Sequence, residues 1–122
     1  MPLSSLALGY AKLAAAQAGS PDALARIRAA MVSHPELVSG TGRHDLAFMR
    51  AGGGDWVTKV GAEGVQGIGI SSLGLGIAIK IADGNARGLH PACVAVLERL
   101  VGSSAAQSAS GGAVNSTLPL WM

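Results

Sequence analysis

At 122 residues the chain suits one domain, and its charged fraction is 13%, against about 25% in an average soluble domain, with 49% hydrophobic and 3% aromatic residues. The core must be aliphatic, and so sparse a set of charges covers a self-contained surface poorly, so part of it is expected to meet other protein, further copies in a homo-oligomer included. The formal net charge of +2 is scattered without a basic run, which sets nucleic acid aside, and the longest apolar stretch, Leu73 to Ala82, is far short of the ~20 residues a membrane span needs.

Ser4 and Ser5 precede strong helix formers from Leu6 to Ala18, with Leu6, Tyr10, Leu13 and Gln17 on one stripe, and Gly19 is placed to close that helix. Ser20-Pro21-Asp22 supplies an N-cap, a proline at the first helical position and an acidic first turn for a second helix, over about 21–33, that stops before Pro35. Glu36 to Arg43 reads as loop, and Asp45 to Arg50 as a short helix ended by Gly52-Gly53-Gly54.

Three strands follow. Trp56 to Val60 and Val65 to Ile70 flank the turn Gly61-Ala62-Glu63-Gly64, and Ser71-Ser72 leads into a third strand at Leu73 to Ala82. There the odd positions are bulky and the even ones small or charged, so one face packs under helices while the other admits a ligand or a tightly docked element. Asp83-Gly84-Asn85 is a turn with helix-cap chemistry, and a last helix runs from about Arg87 to Leu100. The Ser, Ala and Gly rich stretch 103–122 reads as a disordered or unrelated tail, which leaves 1–102 as the folded segment. Gaps between strands are too short for crossovers, so the fold expected is an α/β (α+β) sandwich built on a three-strand antiparallel meander. Lone Cys93 forms no internal disulfide and no signal pattern opens the chain, so a reducing cytoplasm is the expected compartment, with Cys93 a buried small hydrophobe.

Four strings carry a family resemblance: His34-Pro35-Glu36-Leu37-Val38, Gly40-Thr41-Gly42-Arg43, Lys59-Val60-Gly61-Ala62-Glu63-Gly64-Val65, and Gly74 through Arg87. In this order and spacing, over roughly residues 2–102, they resemble the C-terminal segment of bacterial asparaginases of the thermolabile, Rhizobium-etli-like (asparaginase II) family. The resemblance implies a fold like the C-terminal part of β-lactamases and penicillin-binding proteins. It also implies L-asparagine as substrate, hydrolysed to aspartate and ammonia by serine and lysine chemistry. The nucleophilic serine, and cysteines holding a zinc ion, would belong to an upstream half. By that implication this chain holds neither a complete site nor a cofactor or metal site of its own. The alternatives are a non-catalytic remnant or oligomer scaffold, and a β-lactamase-like acyl-transfer hydrolase.

Lys59, on a strand before Val60 and Gly61, echoes a Lys-Thr-Gly triad and is the candidate catalytic lysine, set against an ordinary solvated strand lysine. Gly61, Ala62 and Gly64 are candidates for an oxyanion site, or a plain turn, and Glu63 for orienting Lys59 or binding the substrate ammonium. Arg43 is the candidate for the substrate carboxylate, or a surface ion pair. Leu46 stands where the family commonly has threonine. Lys80 is expected to pair with Asp83, or to act as a second cation near Lys59. His34, His44 and His90 lack metal-ligand spacing and read as surface or loop histidines.

Overall fold

The alternating segments form one antiparallel sheet in the order β1-β2-β3, with β1 at Trp56–Gly61, β2 at Val65–Ile70 and β3 at Leu75–Lys80. The structure is a computed structural model and describes residues 1–102. The tail expected at 103–122 lies outside the described residues. Helices α1 (Leu3–Ala15), α2 (Ala23–Ser33), α3 (Glu36–Ser39) and α4 (His44–Gly52) precede the sheet, and α5 (Ala86–Val101) follows it. The architecture is thus mixed α/β, an open antiparallel sheet flanked by helices, as the alternation implied.

Register sorts the side chains by size. Thr58, Ile68 and Ile77 stand opposite one another, as do Val60, Gln66 and Ile79, whereas the rows between them are Val57, Gly69, Gly76 and Lys59, Gly67, Ala78. On the bulky face Ile68 and Ile70 join Phe48 of α4 and Leu89, Cys93, Val94 and Leu97 of α5 in the main core. Each such aliphatic or aromatic side chain contributes about 1.5–3 kcal/mol on burial.

On the small-residue face, helix α1 lies almost in contact with the strand backbone. A Cβ on Gly76 would stand 1.9 Å from the Ala7 carbonyl oxygen and 2.4 Å from the Ala11 nitrogen, and one on Gly69 would stand 2.7 Å from the Tyr10 carbonyl oxygen. Of the two occupants open for that face, a ligand or a docked element, α1 is the one found.

Several element ends depart from expectation, each for a local reason. Helix α1 starts after Pro2, so Ser4 and Ser5 lie in its first turn, and it ends at Ala15 because Ala16 is already extended (ψ 128). The Ser20 hydroxyl accepts the Asp22 N–H at 3.3 Å instead of capping a helix, which delays α2 to Ala23. Pro35 takes the αR conformation (φ −62, ψ −26), so the chain re-enters a helix at once and Glu36–Ser39, expected as loop, becomes α3. Leu73 belongs to a 3-10 turn, Ser71–Leu73, and not to the third strand. The Asp55 carboxylate draws that turn in by accepting the Ser72 N–H at 2.7 Å and hydroxyl at 2.6 Å. Gly74 then follows in the left-handed region (φ 59), outside the strand where it was expected.

Candidate functional site

Lys59 is exposed on β1, at an edge of the sheet, and its Nζ donates to the Val60 carbonyl at 2.8 Å. Directly across on β2 is Gly67, and a Cβ there would stand 2.1 Å from the Tyr10 ring. Only glycine leaves room for that ring beside the lysine. Tyr10 and Lys59, with Leu13, Ile27, Met31 and Val38, line an open groove of about 540 Å³ where α1 and α2 meet β1. Burial, and to a lesser degree the charge of Asp45, push the Tyr10 phenol above its ordinary pKa, so it stays neutral and able to donate. The sequence showed Tyr10 only as a helix-stripe residue. The signal that could have found it is the glycine facing Lys59.

The turn after Lys59 is built into the sheet. Gly64 (φ 71) is buried, a Cβ on it would stand 3.0 Å from Ile81 Cβ, and its carbonyl accepts the Ile81 N–H at 2.9 Å. Gly61, Ala62 and Glu63 are exposed, and Glu63 itself is left-handed (φ 61). Lys80 donates its Nζ to the carbonyls of Glu63 (2.7 Å) and Ile81 (2.6 Å); no ion pair joins it to Asp83, whose Oδ1 accepts the Asn85 N–H at 2.9 Å. Lys59 thus stands just before the turn Gly61 to Gly64, which closes the end of the sheet against Lys80 and Ile81. Arg43 is elsewhere, flanking α4 at a cleft of about 350 Å³ lined also by His44, Asp45, Gln66 and His90, on the bulky face.

Asp45, not singled out in the sequence, is the most connected polar residue of that cleft. It is 1% exposed, and its Oδ1 accepts from Thr58 Oγ1 (3.0 Å) and Gln66 Nε2 (2.7 Å) while Oδ2 accepts from the Val60 N–H (3.0 Å) and the Ser39 hydroxyl (2.5 Å). Burial by itself would raise this carboxyl's pKa, but the hydrogen bonds from Ser39, Val60, Gln66 and Thr58 outweigh it and hold it below the ordinary value. The carboxylate is ionised.

His44 and His90, expected as surface or loop residues, both lie in helices. Their rings stack at 3.7 Å between centroids, with Phe48 5.2 Å from His90, because α4 and α5 converge at the cleft. His90 Nδ1 is buried without a partner, and burial, then the neighbouring His44, push its pKa down to about 4. Between pH 6.5 and about 4 the unfolded chain therefore binds a proton that the folded one refuses, so stability falls as pH drops through that window. His90 is partly exposed and solvent screens the effect, so a loss on the order of 1–2 kcal/mol is expected. Denaturant melts of His90→Phe should show a shallower decline from pH 6.5 to 4 than the unsubstituted chain; equal slopes would mean that His90 does not carry it.

Among the described residues, no group of three or more His, Cys, Asp or Glu is arranged to hold a metal ion, and no serine lines the Lys59 groove. Ser71 and Ser72 are engaged elsewhere, the first accepting from Arg28 Nε at 3.0 Å and the second bound to Asp55. Cys93 is buried, and that burial, with a smaller contribution from Asp45, pushes its thiol up to about 12, which keeps it protonated and unfit as a zinc ligand. No helix among the described residues is long and apolar enough to cross a membrane.

No curated protein matches the chain closely enough to count as a relative. The family described as L-asparaginase II matches residues 1–118, beyond the four strings at both ends. With nearly its whole length matched, the chain belongs to the L-asparaginase II family.

Proposed function

We propose that the chain supplies the lysine-bearing part of an asparagine amidohydrolase site, with Lys59 as general base. The observation that carries this reading is the place of Lys59 within the family match: a strand-edge amine beside a neutral phenol, at the mouth of an open groove. A serine hydroxyl seated in the groove would attack the side-chain amide carbon of asparagine and give its proton to the Lys59 amine. Collapse of the tetrahedral intermediate expels ammonia, which takes up that proton, and water then releases aspartate from the acyl-serine. Tyr10, kept neutral, is placed to donate a hydrogen bond within the same groove. The backbone N–H groups of Gly61, Ala62 and Gly64 are the candidate donors to the oxyanion, with Glu63 for the ammonium, whereas Arg43, at the cleft on the other face of the sheet, takes no part in this reading.

Because no described serine lines the groove, the nucleophile in this reading comes from polypeptide that docks there. The exposed apolar residues around it, Ile27 at 50% and Leu37 at 77%, are in keeping with such a cover. In that reading any zinc ion is held by the docking polypeptide, and no step above passes through it.

The test is ammonia release from asparagine by the chain supplied with the nucleophile-bearing polypeptide. Lys59→Met is expected to lower turnover by about 10² to 10⁴. Lys59→Arg should fail equally, since a guanidinium does not release its proton near neutral pH, while Lys80→Met stays active. Near-normal turnover in both Lys59 variants would remove the lysine from the mechanism.

A further inference from the structure

We propose that Asp45 is a positioning residue for Lys59, acting through strand β1 from the opposite face of the sheet. The inference rests on the reading of Lys59 as the functional amine. Its geometry is independent of that reading.

One buried carboxylate holds the residues on both sides of Lys59: the Thr58 hydroxyl at 3.0 Å on Oδ1, and the Val60 N–H at 3.0 Å on Oδ2. Val60 is the link, because its N–H is held by Asp45 while its carbonyl accepts the Lys59 Nζ at 2.8 Å. Orienting the backbone of Val60 therefore orients the acceptor of the Lys59 amine. The need for such a device follows from topology, since β1 lies at the edge of the sheet, paired to β2 alone, and an edge strand is the least restrained part of a sheet. Ser39 and Gln66 complete the carboxylate's hydrogen bonds, so it stays ionised and fixed on α4.

Asp45→Asn separates this role from general stabilisation, because an amide group set on the Oδ2 side presents N–H to the Val60 N–H and releases that end of the clamp. The probe is the 122-residue chain with its lysines ¹³C-methylated by reductive alkylation, read by NMR together with amide exchange. In Asp45→Asn the Val60 amide should exchange about tenfold or more faster, as for a locally opened hydrogen bond. The Lys59 methyl signal should move to the position of free lysine while the Lys80 signal, on β3, stays in place. Ser39→Ala, which removes a hydrogen bond that does not touch β1, should leave both lysine signals unchanged.

A Lys59 signal that stays put while the Val60 amide opens overturns the proposal, as does a joint movement of Lys59 and Lys80, which marks general loosening. If Asp45→Asn does not fold, Val60→Pro removes the N–H that Asp45 holds on this edge strand and leaves the carboxylate's other partners in place; the Lys59 signal should then move alone, and a Lys59 signal that stays put or moves with Lys80 overturns the proposal. In the asparagine assay, Asp45→Asn should lower kcat, by up to ~10²-fold, with KM unchanged, as misplacement of a reacting group does. Absence of hydrolysis by the unsubstituted protein would count against the reaction proposed for it, and the lysine signals would still decide whether Asp45 positions Lys59.

Discussion

Gly76→Ala is expected to cost the chain about 3 kcal/mol or more, the upper end of overpacking in a well-filled interior. The new methyl would stand 1.9 Å from the Ala7 carbonyl oxygen and 2.4 Å from the Ala11 nitrogen. Both are helix backbone, so no side-chain rotation relieves the clash and α1 must lift off the sheet as a unit. That displacement would also move the Tyr10 ring off Gly67, next to Lys59, because Tyr10 is carried by α1. Urea melts should show the loss in the midpoint, with Gly74→Ala as the comparison. Nothing lies within 4 Å of a Cβ at Gly74, and only its left-handed backbone (φ 59) opposes a side chain there. A Gly76→Ala midpoint equal to that of Gly74→Ala would contradict the close packing of α1.

Asp45→Ala is expected to cost about 3–5 kcal/mol, because it strands several buried neutral donors at once. Thr58 is 0% exposed and Gln66 2%, so their donors have no water to turn to when the carboxylate is lost, and each stranded group costs about 1–3 kcal/mol. Because hydrogen bonds hold this carboxyl's pKa below its ordinary value of 3.8, its contribution is present above that value and disappears as pH falls through the lowered one. The difference in stability between the unsubstituted chain and Asp45→Ala should therefore be full near neutrality and narrow only below about pH 4. This separates it from the His90 effect, which is complete by about pH 4. A constant difference down to pH 2 would mean that Asp45 acts by shape alone.

Much of this architecture was legible because side-chain alternation carries a period of two. From Leu75 to Lys80 bulky residues alternate with small or charged ones without a break, and a strand is the one element that puts them on opposite faces. The Asp83-Gly84-Asn85 turn was equally readable, since Asn85 caps α5 by accepting the Arg87 N–H at 2.8 Å, a contact local in sequence. Errors gathered where local signals competed: Pro35 stops one helix and starts the next, and Asp55 turns a stretch of strand into a 3-10 turn by reaching Ser72 from the far side of the hairpin.

The sequence by itself determined the order of elements, the two-sided character of the sheet and, through the four ordered strings, the family. It also singled out Lys59, because a lysine before a glycine turn is a local pattern. Tertiary structure alone decided what stands next to that lysine. Tyr10 and Gly67 meet across 57 positions of sequence, Asp45 reaches Thr58, Val60 and Gln66 from another helix, and His44 stacks on His90 from a helix beyond the sheet. Such contacts leave no periodic trace, because each rests on two distant segments being brought within a few ångströms by the packing of α1, α4 and α5 against the strands.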